Sequence, residues 1–232
     1  MTPLTSGPIL IDQVYQQMLE AIADARLRPG QRLRQGEIAD LLGVSRQPVS
    51  HALHLLKRQG LVRESGRKGF EVAPIDPDRI RQLYEVRAAM DALAARLAAR
   101  RVAAGLPAAA RRPLADACAA GAALPPDAPI STLIRADAEF HRALYRLSGN
   151  PAIEDMLAPH WPHLTRSMAA VLEPPEYRAR AWAEHADIMG HVLAGDARHA
   201  ERAAHDHAER AGRTTCARLA QSAAGQATAA AA

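Results

Sequence analysis

The stretch Glu37-Ile38-Ala39-Asp40-Leu41-Leu42-Gly43-Val44-Ser45-Arg46-Gln47-Pro48-Val49-Ser50-His51-Ala52-Leu53 decides the fold of the first third of the chain. Residues 35–42 read as a short helix closed by Gly43. Residues 46–59 read as the next one, with Val49, Ala52, Leu53, Leu55 and Leu56 apolar and Gly60 as its stop signal. Gly43 permits a tight turn between the two, and Val44 plugs the gap between them. Ser45 is placed to cap the second helix, whose first turn then projects toward base edges and phosphates.

Working outward, residues 11–25 place Ile11, Val14, Tyr15, Met18, Leu19 and Ile22 at helical spacing, ending at Arg28-Pro29-Gly30. Downstream, residues 61–63 and 70–72 read as two short strands around a turn at 65–69. Helix, helix, turn, helix and a two-stranded wing make the winged helix-turn-helix layout, which implies a double-stranded operator DNA partner. Arg46 sits where a bidentate guanine contact or a phosphate clamp is geometrically easy, and Gln47 and Ser50 are the neighbouring reachable polar side chains. Arg67 and Lys68 at the wing tip suit backbone or minor-groove contact.

Composition narrows the function classes. A chain of 232 residues with 48% apolar residues suits one or two domains and can bury a core. No apolar run reaches the ~18 residues of a membrane helix, and no signal-peptide pattern opens the chain. Cys118 and Cys216 are too few for a disulfide framework, and no C-x-x-C zinc pattern exists. The expectation is a cytoplasmic protein with no membrane partner. Of the net charge of +4, residues 1–74 carry +3, from ten Lys and Arg against seven Asp and Glu. That excess points to a polyanion partner. Aromatics at 3% argue against a stacking-based single-strand binder.

Pro74-Ile75-Asp76-Pro77 is the natural linker, giving domains at 8–74 and 77–220. From Asp78 onward every segment reads as helix, broken at 105–107, 121–129, 149–151, 174–175 and 195–196. The fold class is therefore mainly α: a winged helix-turn-helix followed by an antiparallel all-helical bundle of about six helices. Eight of the ten histidines follow residue 140. Asp137 and His141 are spaced i, i+4 and share a helix face. His185 lies ten residues before Gly195, and His207 eleven after Asp196. If Gly195-Asp196 turns an antiparallel hairpin, both lie ~15 Å from the bend and level with each other. One Asp oxygen and three imidazoles suit Zn, Ni or Mn. His205 and His191 point away from this face, while His160 and His163 flank Trp161-Pro162.

Residues 8–74 resemble the DNA-binding domain of the GntR family of bacterial regulators. The resemblance rests on residues 29–33, Ile38-Ala39, the run from Gly43 to Val49, Ala52-Leu53 and residues 60–62. Family members commonly carry Arg-Glu where this chain has Ser50-His51, so the family's preferred operator does not transfer. A basic residue near Arg34, frequent in the family, is kept. Residues 77–220 are similar to the FCD effector domain of the FadR branch. That resemblance implies Asp137, His141, His185 and His207 as metal ligands, and an arginine with an acidic residue four positions on, matched by Arg87 and Asp91. Six helices rather than seven would favour the VanR-like subgroup.

A divalent ion held this way keeps open positions for a small organic-acid effector, with Arg87 or Arg135 as a second anchor. The reading is a homodimeric transcription regulator, a repressor, whose operator affinity follows the effector. Two alternatives stay open: a metal-dependent enzyme using the Asp/His3 site, against which no obvious general base stands nearby, and a regulator whose metal is purely structural.

Overall fold

The structure, a computed structural model, describes residues 7–66, 69–172 and 174–230. The chain divides into two compact units, 1–75 and 76–232. In the first, the described elements are α1 (Gly7–Ala23), β1 (Arg32–Leu33), α2 (Gln35–Leu42), α3 (Arg46–Arg58), β2 (Val62–Ser65) and β3 (Gly69–Val72).

The apolar stripe of α1 buries Val14, Met18 and Ile22 against Val49, Ala52, Leu53 and Leu56 of α3. This is the period-3.6 pattern meeting its partner helix. Gly43 ends α2 at φ 64°, and its N–H bonds the carbonyls of Ala39 and Asp40. A left-handed residue at that point costs a glycine little. Val44 packs partly buried against the core.

The wing holds one strand more than the sequence marks. β1 pairs antiparallel with β3, which pairs antiparallel with β2, in the order β1-β3-β2. Two residues are too short a run to show alternation, so β1 was not legible. Its register puts Arg32 opposite Glu71, and Glu71 opposite Arg63 on the far side. The carboxylate of Glu71 accepts from Arg63 Nε at 2.6 Å.

The second unit is helical throughout its described residues: α4 (Pro77–Ala103), α5 (Ala108–Ala122), α6 (Ile130–Ser148), α7 (Pro151–Leu157), a 3-10 turn (Ala158–His160), α8 (Trp161–Leu172), α9 (Pro175–Leu193) and α10 (Ala197–Ala230). Asp76 caps α4, accepting from the N–H groups of Asp78 and Arg79, with Pro77 pre-set at the first helical position. The described helices number seven where the breaks mark about six. Pro159 and Pro162 stand three residues apart and lack N–H donors, and the chain tightens there into the 3-10 turn separating α7 from α8. The helix-count argument for the VanR-like subgroup therefore does not hold.

α4 and α10 are the principal packed pair. Ala88, Ala92, Ala95 and Ala99 of α4 and Ala200, Ala204 and Ala208 of α10 are all buried. Small side chains at helical spacing let the two axes approach closely. At Gly212 a Cβ would lie 2.6 Å from Tyr84 Cβ, and at Gly121 of α5 one would lie 1.8 Å from the Trp182 ring of α9. α9 and α10 form a hairpin turned by Gly195 at φ 75°.

Candidate nucleic-acid interface and metal centre

α3 buries Pro48, Val49, Ala52, Leu53 and Leu56, which turns Gln47, Ser50, His51 and His54 to the opposite face. Ser45 occupies the cap position with extended backbone, but its side chain makes no capping hydrogen bond. Arg46 and Gln47 are exposed and Ser50 is half-buried. The Arg46 guanidinium lies over the start of α2, where a Cβ on Gly36 would sit 3.4 Å from Nη2. Arg34 is exposed and paired with Glu37 at 2.7 Å. Arg67 and Lys68 lie outside the described residues. Sequence reasoning passed over His54, exposed on the outward face and edge-on to Phe70 at 5.5 Å between centroids. Its spacing of i+7 from Gln47 was the available signal.

In the helical unit, side chains from four helices converge. His141 of α6, His185 of α9 and His207 of α10 are 1%, 0% and 4% exposed, and offer ring nitrogens within 4.8 Å of one another. The hairpin arithmetic puts His185 and His207 level, and their Nε2 atoms lie 3.2 Å apart. Asp137 is buried beside them, its two carboxylate oxygens 3.7 Å from His185 Nε2 and 3.8 Å from His141 Nε2.

The remaining nitrogen of one ring is oriented by a carboxylate, and that of a second lies near one. His207 Nδ1 lies 2.7 Å from Glu184 Oε2, and Glu184 also accepts from Arg210 Nε at 3.0 Å. In the tautomer whose Nδ1–H donates to Glu184, the His207 lone pair lies at Nε2. His141 Nδ1 lies 3.3 Å from Asp91 Oδ2. Carboxylates behind imidazoles are the usual support of metal-ligating histidines. His185 has no such support at Nδ1 and is held instead by ring packing, stacked on Phe140 at 4.1 Å and met edge-on by Trp182 at 4.8 Å.

Burial sets the protonation states. It pushes His185 well below the ordinary imidazole range, and the neighbouring His207, His141 and Arg87 act in the same direction. It lowers His141 as well, with Arg87 adding to the effect. Neutral imidazole is the form that coordinates a cation. Burial opposes the Asp91 charge, but His141 and Arg87 outweigh it and hold that carboxyl at about 2. Tyr145, raised by burial and by Asp91, stays protonated and donates to Asp91.

Arg87 of α4 is 1% exposed and belongs to the same cluster. Its Nη2 lies 2.6 Å from His141 Nε2 and its Nε 3.3 Å from Asp91 Oδ2. Its guanidinium also faces the rings of Tyr84 at 5.4 Å and Trp161 at 5.3 Å. Arg135 is not brought into the group. It is exposed on α6, two residues from Asp137 and so turned about 200° around the helix from it. Asn150 caps α7, accepting from Ala152 N–H. His191 and His199 stack on each other near the hairpin turn, and His205 is exposed beside Asp206.

The donor set fits a divalent cation: three imidazoles and one carboxylate converge, and Glu184 orients the His207 ring. Glu184, Trp161 and Tyr145 are site neighbours that the spacing did not reveal. Glu184 directly precedes His185, and Tyr145 follows His141 by four, which are the only local signals they carry.

Residues 10–72 match the gntR family of bacterial regulatory proteins, and residues 82–210 match the FCD domain. An HTH-type transcriptional regulator from an unstable DNA locus of Streptomyces ambofaciens is 29% identical over 197 residues, covering 83% of this chain and 79% of that protein. The Nta operon transcriptional regulator of Aminobacter aminovorans is 32% identical over 123 residues, covering 53% of this chain and 56% of that one. The match to the Bacillus subtilis regulator YdhC, 31% identical, covers 37% of this chain and only 38% of that protein. Among solved structures, Escherichia coli McbR/YncC aligns with a TM-score of 0.74 at 18% identity, covering 89% of this chain and 95% of that one. A GntR structure from Rhodococcus sp. RHA1 aligns with a TM-score of 0.74 at 22% identity, covering 88% and 96%. No helix among the described residues is long and apolar enough to cross a membrane. A winged helix matched to one family and a helical unit matched to one domain leave a single conclusion: this chain is a transcriptional regulator of the GntR family carrying an FCD domain.

Proposed function

We propose that the chain is a cytoplasmic homodimeric repressor whose hold on operator DNA is governed by a small organic acid bound at a divalent metal site. The observation that carries the effector half is the convergence of Asp137, His141, His185 and His207 with the Arg87 guanidinium at its edge. Residues 8–74 would bind DNA, with Arg46, Gln47, Ser50 and Ser45 facing the groove and Arg34, Arg67 and Lys68 serving the backbone. Residues 77–220 would bind the effector and dimerise. Zn, Ni or Mn all suit the donor set.

A bound divalent ion supplies positive charge and open coordination positions to a carboxylate. The chain's own residues do the rest. Arg87 offers a fork of donors matched to a carboxylate, Asp91 and Tyr145 fix that guanidinium, and the surrounding rings exclude water. The effector must bind the DNA-competent and DNA-incompetent states with different affinity, since equal affinity shifts no equilibrium.

A second reading, a purely structural ion, is favoured by the near-complete burial of the three imidazoles. A thermal-shift screen of small organic acids, run with and without chelator and paired with retardation of the chain's own promoter fragment, separates the two. An acid that stabilises only metal-loaded protein and releases the fragment is the expected result. Stabilisation indifferent to chelator would remove the shared metal and effector site. Failure to retard the promoter fragment at all would remove the operator reading.

A further inference from the structure

His141 presents a single in-plane lone pair at Nε2. If a donor occupies that lone pair, the neutral ring must carry its proton on the other nitrogen, Nδ1, which stands 3.3 Å from Asp91 Oδ2. The lone pair is already used: Arg87 Nη2 stands 2.6 Å from it. A guanidinium has neither an acceptor atom nor an accessible neutral form, so it can only be the donor in that contact.

The same Nε2 is the atom of His141 that faces the rest of the cluster. It lies 3.8 Å from Asp137 Oδ2, on the carboxylate whose other oxygen is 3.7 Å from His185 Nε2. An ion held by His141 through this nitrogen would need the same lone pair. One lone pair cannot serve both partners.

We propose that the Arg87 guanidinium and a divalent ion compete for the lone pair of His141 Nε2, so that metal loading releases Arg87 to an effector carboxylate. The inference rests on the metal reading of the site given above. It turns two adjacent features, a metal site and an arginine anchor, into an ordered pair in which the ion comes first.

The surroundings allow the release. Arg87 keeps Asp91 as its charge partner through Nε at 3.3 Å, and the Tyr84 and Trp161 faces remain beside it. Trp161 Nε1, on a ring 4% exposed, has no hydrogen-bond partner among the described residues. A carboxylate reaching Arg87 therefore meets a second buried donor in the same neighbourhood. Its chemical class is a small organic acid with at least one acceptor to spare after metal coordination.

The test is a Co2+ titration of the full-length protein, followed by visible d–d absorption and calibrated against a chromophoric chelator. Wild type is compared with Arg87→Lys and Arg87→Gln. Lysine keeps the charge and an ion pair with Asp91, but a single ammonium cannot bridge Asp91 and His141 as the fork does. Both variants are expected to bind Co2+ about ten-fold more tightly, the scale of one charge-assisted hydrogen bond. Equal or weaker binding by Arg87→Lys, with helical circular dichroism retained, overturns the proposal. A gain confined to Arg87→Gln also overturns it, because it reports removal of charge rather than a shared lone pair. Should Arg87→Gln not fold, Arg87→Lys alone decides. Absence of d–d bands in the wild type removes the metal reading itself, together with this inference, and is distinguishable from either outcome above.

Discussion

At the scale of single residues, the two sites differ in how far spacing can reach. The place of Arg46 at the exposed start of α3 was legible because it depends on position within an ordered string. Arg46→Ala is expected to weaken binding of the specific operator by about 1–3 kcal/mol, measured by titration of the promoter fragment at fixed salt. Unchanged affinity would remove the assignment. The meeting of Asp137, His141, His185 and His207 was legible through i, i+4 spacing and hairpin arithmetic. The double substitution His141→Ala with His207→Ala is expected to abolish bound divalent ion, read by elemental analysis of the purified protein. Full occupancy in that variant would show that other residues hold the ion. Arg135 illustrates the opposite case. Its charge and nearness in sequence recommended it, yet two residues along a helix reverse the direction of a side chain. Glu184 and Trp161 were invisible because their partners lie on other helices, and nothing local records that encounter.

At the scale of elements, proline and glycine punctuation located most of the boundaries, but not the division between α7 and α8. There the signal was two prolines within one turn, which a reading of breaks as helix ends absorbs into one helix. β1 was missed for the reason that two residues show no period. Gly121 reads from sequence as the opening of a break, whereas in the structure it lies inside α5 and admits the Trp182 ring. Trp182 in turn packs against His185. Gly121→Ala is therefore expected to destabilise the helical unit by about 1–3 kcal/mol through overpacking, despite alanine's better helix propensity. Thermal denaturation checks it. An unchanged or raised melting temperature would mean that the α5–α9 contact yields without cost.

At the scale of the whole molecule, the division into a basic DNA-facing unit and a histidine-bearing helical unit follows from charge, histidine placement and one proline-rich junction. Most of the buried alanines lie in α4 and α10, the two helices that press together most closely. A two-fold operator calls for a two-fold protein. Sedimentation equilibrium is expected to return about twice the chain mass of 24.9 kDa. A monomer at micromolar concentration would leave each winged helix to bind alone and would contradict the dimeric repressor.

The clamping of His185 between Phe140 and Trp182 carries a kinetic consequence. A ligand that cannot swing outward cannot hand its ion to a competitor stepwise, and exchange must wait for a local opening of the helices. An ion held there would enter and leave at the pace of that opening, slowly compared with a small acid at its edge. Titrations of the site would then need long equilibration, and the ion would outlast many individual encounters with the effector.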